Sequence, residues 1–134
     1  MPFVLDNSVV TGWYIGAQAT DYTQSIATRL ETDRAVVPAL WQLEFTNVLK
    51  TACTRGKLSL GAARDIVAVI DALPIDIDAG TTPGPRQLLE IAMRYDLSSY
   101  DATYLELALR SHLPIASQDT KLRAAALQAG LVVL

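Results

Sequence analysis

The sequence predicts an α/β fold in which a parallel sheet carries helices on both faces. Three observations point to it. Short, wholly apolar runs such as Phe3-Val4-Leu5 and Ala35-Val36-Val37 have the length and continuous hydrophobicity of strands buried on both sides. The longer stretches between such runs repeat apolar residues at three- and four-residue spacing, as helices with one covered face do. Run and stretch then alternate along the whole chain, which is the order of β-α units in a parallel sheet.

Each element has its own reason. Phe3-Val4-Leu5 is the first strand and ends in Asp6. Asn7 and Ser8 are expected to cap a short helix containing Val9, Val10 and Trp13. Thr20 to Thr32 reads as an amphipathic helix with Tyr22, Ile26 and Leu30 in register. Ala35-Val36-Val37 is a second strand, closed by Pro38. A long helix from Ala39 to Arg55 stops at Gly56, since glycine takes the left-handed conformation that ends helices. Ser59 caps the next helix, through Leu73. Pro74-Ile75-Asp76-Ile77-Asp78 alternates and begins with proline, as an edge strand does. Gly80 to Gly84 is a loop, Arg86 to Tyr95 a helix, and Asp96-Leu97 a turn. Ser98 and Ser99 open a helix on which Asp101, Leu105, Ala108 and His112 share one face, apolar but for the acid near its start and the histidine near its end. Pro114-Ile115-Ala116 is a strand. Asp119 opens a last helix to Ala129, Gly130 ends it, and Leu131-Val132-Val133-Leu134 is a closing strand. With no linker, repeat or low-complexity stretch, one domain over residues 1–134 is expected.

Composition narrows the function classes. Hydrophobic residues make up 51% and charged residues 19%, which is the balance of a packed domain. No apolar run approaches the roughly 20 residues of a membrane span. The start of the chain lacks the basic and apolar regions of a secretory signal, so cytoplasmic residence and no membrane partner are expected. One cysteine, Cys53, and one histidine, His112, exclude an internal disulfide, a cysteine zinc site and histidine clusters, and weaken any Ser-His or Cys-His scheme. Fourteen acids against eleven Lys and Arg give a net charge of −3, which argues against coating nucleic acid by bulk electrostatics. It leaves open an enzyme whose acids hold cations that in turn hold phosphate.

The acids carry the chemistry. In open parallel sheets, ligands bind beyond the carboxyl ends of the strands. Asp6 stands at the end of the first strand. Asp119 follows Pro114-Ile115-Ala116, with Ser117 and Gln118 between. Asp101 lies near a helix N-terminus, where the dipole favours a negative charge. Leu40, Glu44 and Val48 form one row of a helix, so Glu44 falls on a stripe that should be buried and needs a partner, for which Arg64 is available. Taken singly, Asp119 reads as an N-cap and Asp6 as a turn residue. Four carboxylates at one rim would repel unless a cation lay among them, and oxygen-only ligands select Mg²⁺ or Mn²⁺.

Asp6-Asn7-Ser8, the mid-helix Glu44, Ser98-Ser99-Tyr100-Asp101-Ala102-Thr103-Tyr104 and Ser117-Gln118-Asp119-Thr120-Lys121-Leu122, in this order, resemble the motifs of PIN-domain ribonucleases, and most of all the VapC-type toxins of toxin–antitoxin pairs. The resemblance covers nearly the whole chain. It implies a three-layer sandwich around a parallel sheet of about five strands, matching the five runs above. It also implies a Mg²⁺- or Mn²⁺-dependent endoribonuclease acting on RNA, a homodimer, and neutralisation by a VapB-like antitoxin. Asp6, Glu44, Asp101 and Asp119 would line the metal site, with Ser117 and Asn7 as accessory residues. Asn7-Ser8 depart modestly from the commoner residues after the first acid.

On this reading Asp6 and Asp101 hold the metal directly, while Glu44 and Asp119 complete the site and orient water. Lys50, Arg55, Lys57, Lys121 and Arg123 are phosphate-contact candidates whose plain alternative is a solvated helix face. Trp13, Trp41, Tyr100 and Tyr104 are stacking candidates, although Trp41 and Tyr104 share faces with aliphatic residues and read as core or interface. Val9, Val10, Trp13, Tyr14 and Ile15 form a dense apolar stretch where an antitoxin or second subunit would dock. His112 reads as a helix C-cap and Cys53 as a small core residue. The rivals are a PIN nuclease of RNA processing without an antitoxin and a non-catalytic PIN scaffold that binds RNA or protein. A receiver domain lacks its lysine after the last strand, and an Asp-x-Asp phosphatase has Ser8 where its second acid should be.

Overall fold

The computed structural model describes residues 1–80 and 83–134. Four strands form the sheet: β1 (Phe3–Leu5), β2 (Ala35–Val37), β3 (Ile75–Ile77) and β4 (Ile115–Ala116). Seven α-helices are interspersed: α1 (Asn7–Tyr14), α2 (Asp21–Arg29), α3 (Leu40–Thr54), α4 (Leu60–Asp71), α5 (Pro85–Tyr95), α6 (Ser99–Ser111) and α7 (Thr120–Gln128). The strand order is β3-β2-β1-β4, and every pairing is parallel. Val4 lies between Val36 and Ile115, so β1 is a central strand and its carboxyl end delivers Asp6 to the middle of the sheet's rim.

The core follows from this order. Phe3, Val4, Leu5, Ala35, Val37, Ile115 and Ala116 are fully buried between helices on the two faces. All residues of α6 from Ala102 to Ala108 are buried, not one stripe alone, because α5, α7 and β1 pack around it.

Most expected boundaries hold to within a residue or two, and the caps explain them. Ser59 and Ser98 accept hydrogen bonds from the Ala62 and Asp101 amides. Gly56 takes φ +71° after α3. His112 does end α6, in the left-handed conformation and exposed. Of the expected loop at 80–84, residues 81 and 82 lie outside the described residues.

Three expectations are corrected. The closing segment is not a full fifth strand: Val133 makes one parallel bridge to Ile115, backed by bonds from the Ile115 amide to Val132 and from the Leu134 amide to Ile115. Its partner β4 is only two residues long and leaves little ladder to extend. Asn7 and Ser8 do not cap α1 from outside; they are its first residues, and Asp6 occupies the cap position with its carboxylate turned to other partners. Val9 and Val10 form no docking surface, being wholly buried core, while Trp13, Tyr14 and Ile15 are half-buried.

Candidate active site

Asp6 is held by hydroxyls. Its Oδ2 accepts from Ser8 at 2.6 Å and from Ser117 at 2.8 Å. Burial pushes its carboxyl above the ordinary aspartate value, and the two serines partly hold it down. The Asp119 charge adds to the rise. Ser117 is fully buried and also accepts from the Asp119 amide at 3.0 Å, so one hydroxyl ties two acid-bearing segments together. Ser8 does the same from the other side, accepting from the Gln118 amide at 2.9 Å.

Glu44 projects from α3 and is half-buried. The partner it needs is not Arg64 but Tyr104, whose hydroxyl donates to Oε1 at 2.6 Å. Burial raises the Glu44 carboxyl, this bond opposes the rise, and the Asp6 charge adds to it. Asp119 caps α7 by accepting from the Leu122 amide through Oδ1 at 2.9 Å. That bond uses one oxygen; the other has no protein partner among the described residues.

Asp101 is where the four acids register on one another. It is half-buried, and no protein group donates to its carboxylate among the described residues. Burial, then the charges of Asp6, Asp119 and Glu44, push its carboxyl up to about 6. Four acids from four separate elements therefore act on one spot. None of them is ion-paired to a Lys, Arg or His among the described residues.

This donor set fits a hard divalent cation in its chemistry. Beside Asp6, Asn7 Oδ1 is buried and without a partner, one of two such side-chain atoms among the described residues. The spacing is looser than a closed site. Among the described residues no three His, Cys, Asp or Glu side chains are grouped tightly enough to hold an ion as they stand. Neighbouring carboxylates repel one another, and the charges of Asp6, Asp119 and Glu44 all raise the Asp101 carboxyl.

A groove of about 560 Å³ opens beside the acids, lined by Leu40, Leu43, Glu44, Asn47 and Tyr100. Tyr100 is 58% exposed and adjoins Asp101, so it is the aromatic free to stack on a base. Trp41 is core, stacked on Phe45 at 5.3 Å. Arg55 and Lys57 line a neighbouring cavity of about 450 Å³ that shares Asn47 with this groove. Lys50 faces away, with Leu49 and Cys53 toward α4. Lys121 pairs with exposed Asp96. Arg123 serves the fold: it donates to the Ser117 and Leu134 carbonyls and lies over the Tyr22 ring.

The bond of Ser8 to Asp6 and that of Tyr104 to Glu44 lie beyond the four acids, Ser117 and Asn7 that the sequence singles out. Tyr104 lies one turn after Asp101 on the same side of α6, and that spacing was the available signal.

The family model of the PIN domain matches residues 3–127. Ribonuclease VapC1 of Mycobacterium tuberculosis is 34% identical over 90 residues, a match covering 66% of this chain and 65% of that protein. The match thus spans just under two thirds of the relative's length. Among solved structures, PAE2754 of Pyrobaculum aerophilum superposes with TM-score 0.70 at 20% identity, over 93% of this chain and 84% of that one. VapBC2 of Rickettsia felis, bound to a DNA fragment from its promoter, superposes with TM-score 0.69 at 8% identity, over 100% and 98% of the two chains. FitAcB of Neisseria gonorrhoeae superposes with TM-score 0.62 at 16% identity, over 100% and 96%. At these identities the three structures establish the fold.

Proposed function

The chain belongs to the PIN-domain family, and on that premise we propose that it is a Mg²⁺- or Mn²⁺-dependent endoribonuclease of the VapC toxin type. The observation that carries the reading is the meeting of Asp6, Glu44, Asp101 and Asp119 at Asp101, with no cationic side chain paired to any of them among the described residues. A structural ion-pair network would contain its own cations; among the described residues this cluster has only hydroxyl and backbone-amide donors.

Asp6 and Asp101 would hold the metal, with Glu44 and Asp119 completing its shell directly or through water. A bound divalent ion supplies an acidified water and offsets charge on the scissile phosphate. Ser8 and Ser117 hold Asp6 in place and favour its charged form against the effect of burial. Glu44 would orient the attacking water and Tyr100 would stack on a base next to the scissile bond, a reading supported by the groove that both residues line. The acids alone repel RNA, so affinity for substrate should be weak without divalent metal.

The test is cleavage of a mixed structured RNA pool, with and without Mn²⁺, beside Asp101→Asn. Metal-dependent cutting that is lost in the variant supports the reading. Cutting that survives both chelation and the substitution overturns it.

The similarity to VapC1 and the VapBC2 complex among the fold neighbours support a VapB-like antitoxin as partner; a homodimer and work in the cytoplasm are part of the same proposal. Among the described residues no helix is long and apolar enough to cross a membrane. Exposed Leu89 and Met93 on α5 offer one apolar surface for self-association. Co-purification of a small partner, and light scattering of the protein freed from it, test both points. A nuclease of RNA processing would have neither such a partner nor a toxic phenotype on expression.

A further inference from the structure

Tyr104 is the one fully buried tyrosine, and its ring sits among the aliphatic core. A phenylalanine would pack there as well. The hydroxyl is what needs explaining: it donates a short bond, 2.6 Å, to Glu44 Oε1, sixty residues away in sequence. Glu44 has three rotatable side-chain bonds and is half-buried beside an open groove. Left alone, its carboxylate would sample several rotamers. The Tyr104 bond selects one and leaves Oε2 without a protein partner among the described residues. Tyr104 itself cannot move, because α6 is covered on every side at that level. The same helix carries Asp101 one turn earlier, so Tyr104 sets the Glu44 carboxylate of α3 relative to the Asp101 carboxylate of α6.

We infer that Tyr104 is a positioning residue, whose hydroxyl holds Glu44 as a cation ligand, or as the acceptor for a cation-bound water, in register with Asp101. This rests on the metal-site reading above. Outer partners of metal-ligating carboxylates commonly matter ten- to a hundredfold for metal affinity.

The experiment is Mn²⁺ binding, followed by the paramagnetic resonance of free Mn²⁺, in the wild type, Tyr104→Phe, Glu44→Gln and the double variant. Circular dichroism and thermal unfolding check each fold. Tyr104→Phe should fold and bind Mn²⁺ about tenfold more weakly. The double variant should bind no more weakly than Glu44→Gln, since the hydroxyl acts only through that carboxylate. Wild-type affinity in a folded Tyr104→Phe overturns the inference, and so do losses that simply add in the double variant, because a merely structural tyrosine behaves in one of those ways. Should Tyr104→Phe not fold, Glu44→Asp keeps the charge but withdraws the carboxylate from the hydroxyl by one methylene. Unchanged Mn²⁺ affinity there also overturns the inference. A wild-type protein that binds no Mn²⁺ defeats the metal-site reading itself, whereas equal binding by wild type and Tyr104→Phe defeats only the role of Tyr104.

Discussion

Two groups of carboxylates lie toward the carboxyl edge of the sheet and are managed in opposite ways. Glu106 and Asp78 share the Arg110 guanidinium, at 2.7 and 2.8 Å, and Asp78 is held below the ordinary aspartate value by that contact. Asp6, Glu44, Asp101 and Asp119 have no such cation among the described residues, and Asp101 is pushed up to about 6. One group is complete as folded. The other carries uncompensated charge, held by Ser8, Ser117 and Tyr104, which fix geometry without neutralising anything. A protein that wanted only stability could have placed an arginine in the second group as it did in the first. The difference supports the proposal that the second group takes a cation from outside.

The strongest way to break the comparison is Asp101→Asn. Metal-dependent RNA cleavage should fall to background, while the metal-free protein should unfold at the same temperature as wild type at pH 7 or a few degrees higher, because a repelled charge is gone. The pH profile sharpens this. A carboxyl raised to about 6 in the fold stabilises the metal-free protein when protonated, so that contribution is present below about pH 4 and is lost as pH rises through 6. Thermal unfolding in chelator from pH 4 to pH 7 should show the decline in wild type and a flatter curve in the variant; equal slopes would remove Asp101 from the cluster.

Arg110→Ala should act with the opposite sign. It leaves Glu106, only 7% exposed, without its counter-ion, and should destabilise the protein by about 2 kcal/mol at pH 7, with cleavage per folded molecule retained. Because Arg110 depresses Asp78, that part of the contribution is present above the unfolded value of 3.8 and is lost as pH falls. The deficit measured by urea unfolding should therefore shrink in acid. A variant as stable as wild type at neutral pH would mean that the two groups do not differ as argued.

Smaller effects follow outside the two groups. Tyr100→Ala should leave stability unchanged and weaken substrate binding by about 1–3 kcal/mol, seen in KM more than kcat. Lys121→Ala breaks an ion pair between two largely exposed side chains and should change neither unfolding nor cleavage beyond about 0.5 kcal/mol. A clear loss of cleavage there would return Lys121 to the list of phosphate contacts.

What the sequence determined by itself was whatever depends on neighbours along the chain. The order of strands and helices follows from local runs and periodicities. The caps at Ser59, Ser98 and Asp119 follow from side chains that reach amides three residues on. The placement of Asp6 at a strand end and of Asp101 and Asp119 at helix starts is local too, and with the topology of parallel sheets it was enough to bring the acids to one rim. Tertiary structure decided what those acids touch. Ser117 reaches Asp6 across 111 residues and Tyr104 reaches Glu44 across 60; the spacing of Tyr104 from Asp101 marks its side of α6, but a buried tyrosine on an apolar face looks like core and nothing local names the partner. Arg64 was the partner the sequence offered for Glu44, but it lies on α4 and faces Thr46, Lys50 and Cys53 of α3 instead. Tertiary structure also decided that the closing segment has room for one bridge instead of a strand, and that Val9 and Val10 belong to the interior. Periodicity says which side of an element is covered, but only the packed fold says by what, and a hydrogen bond depends on what.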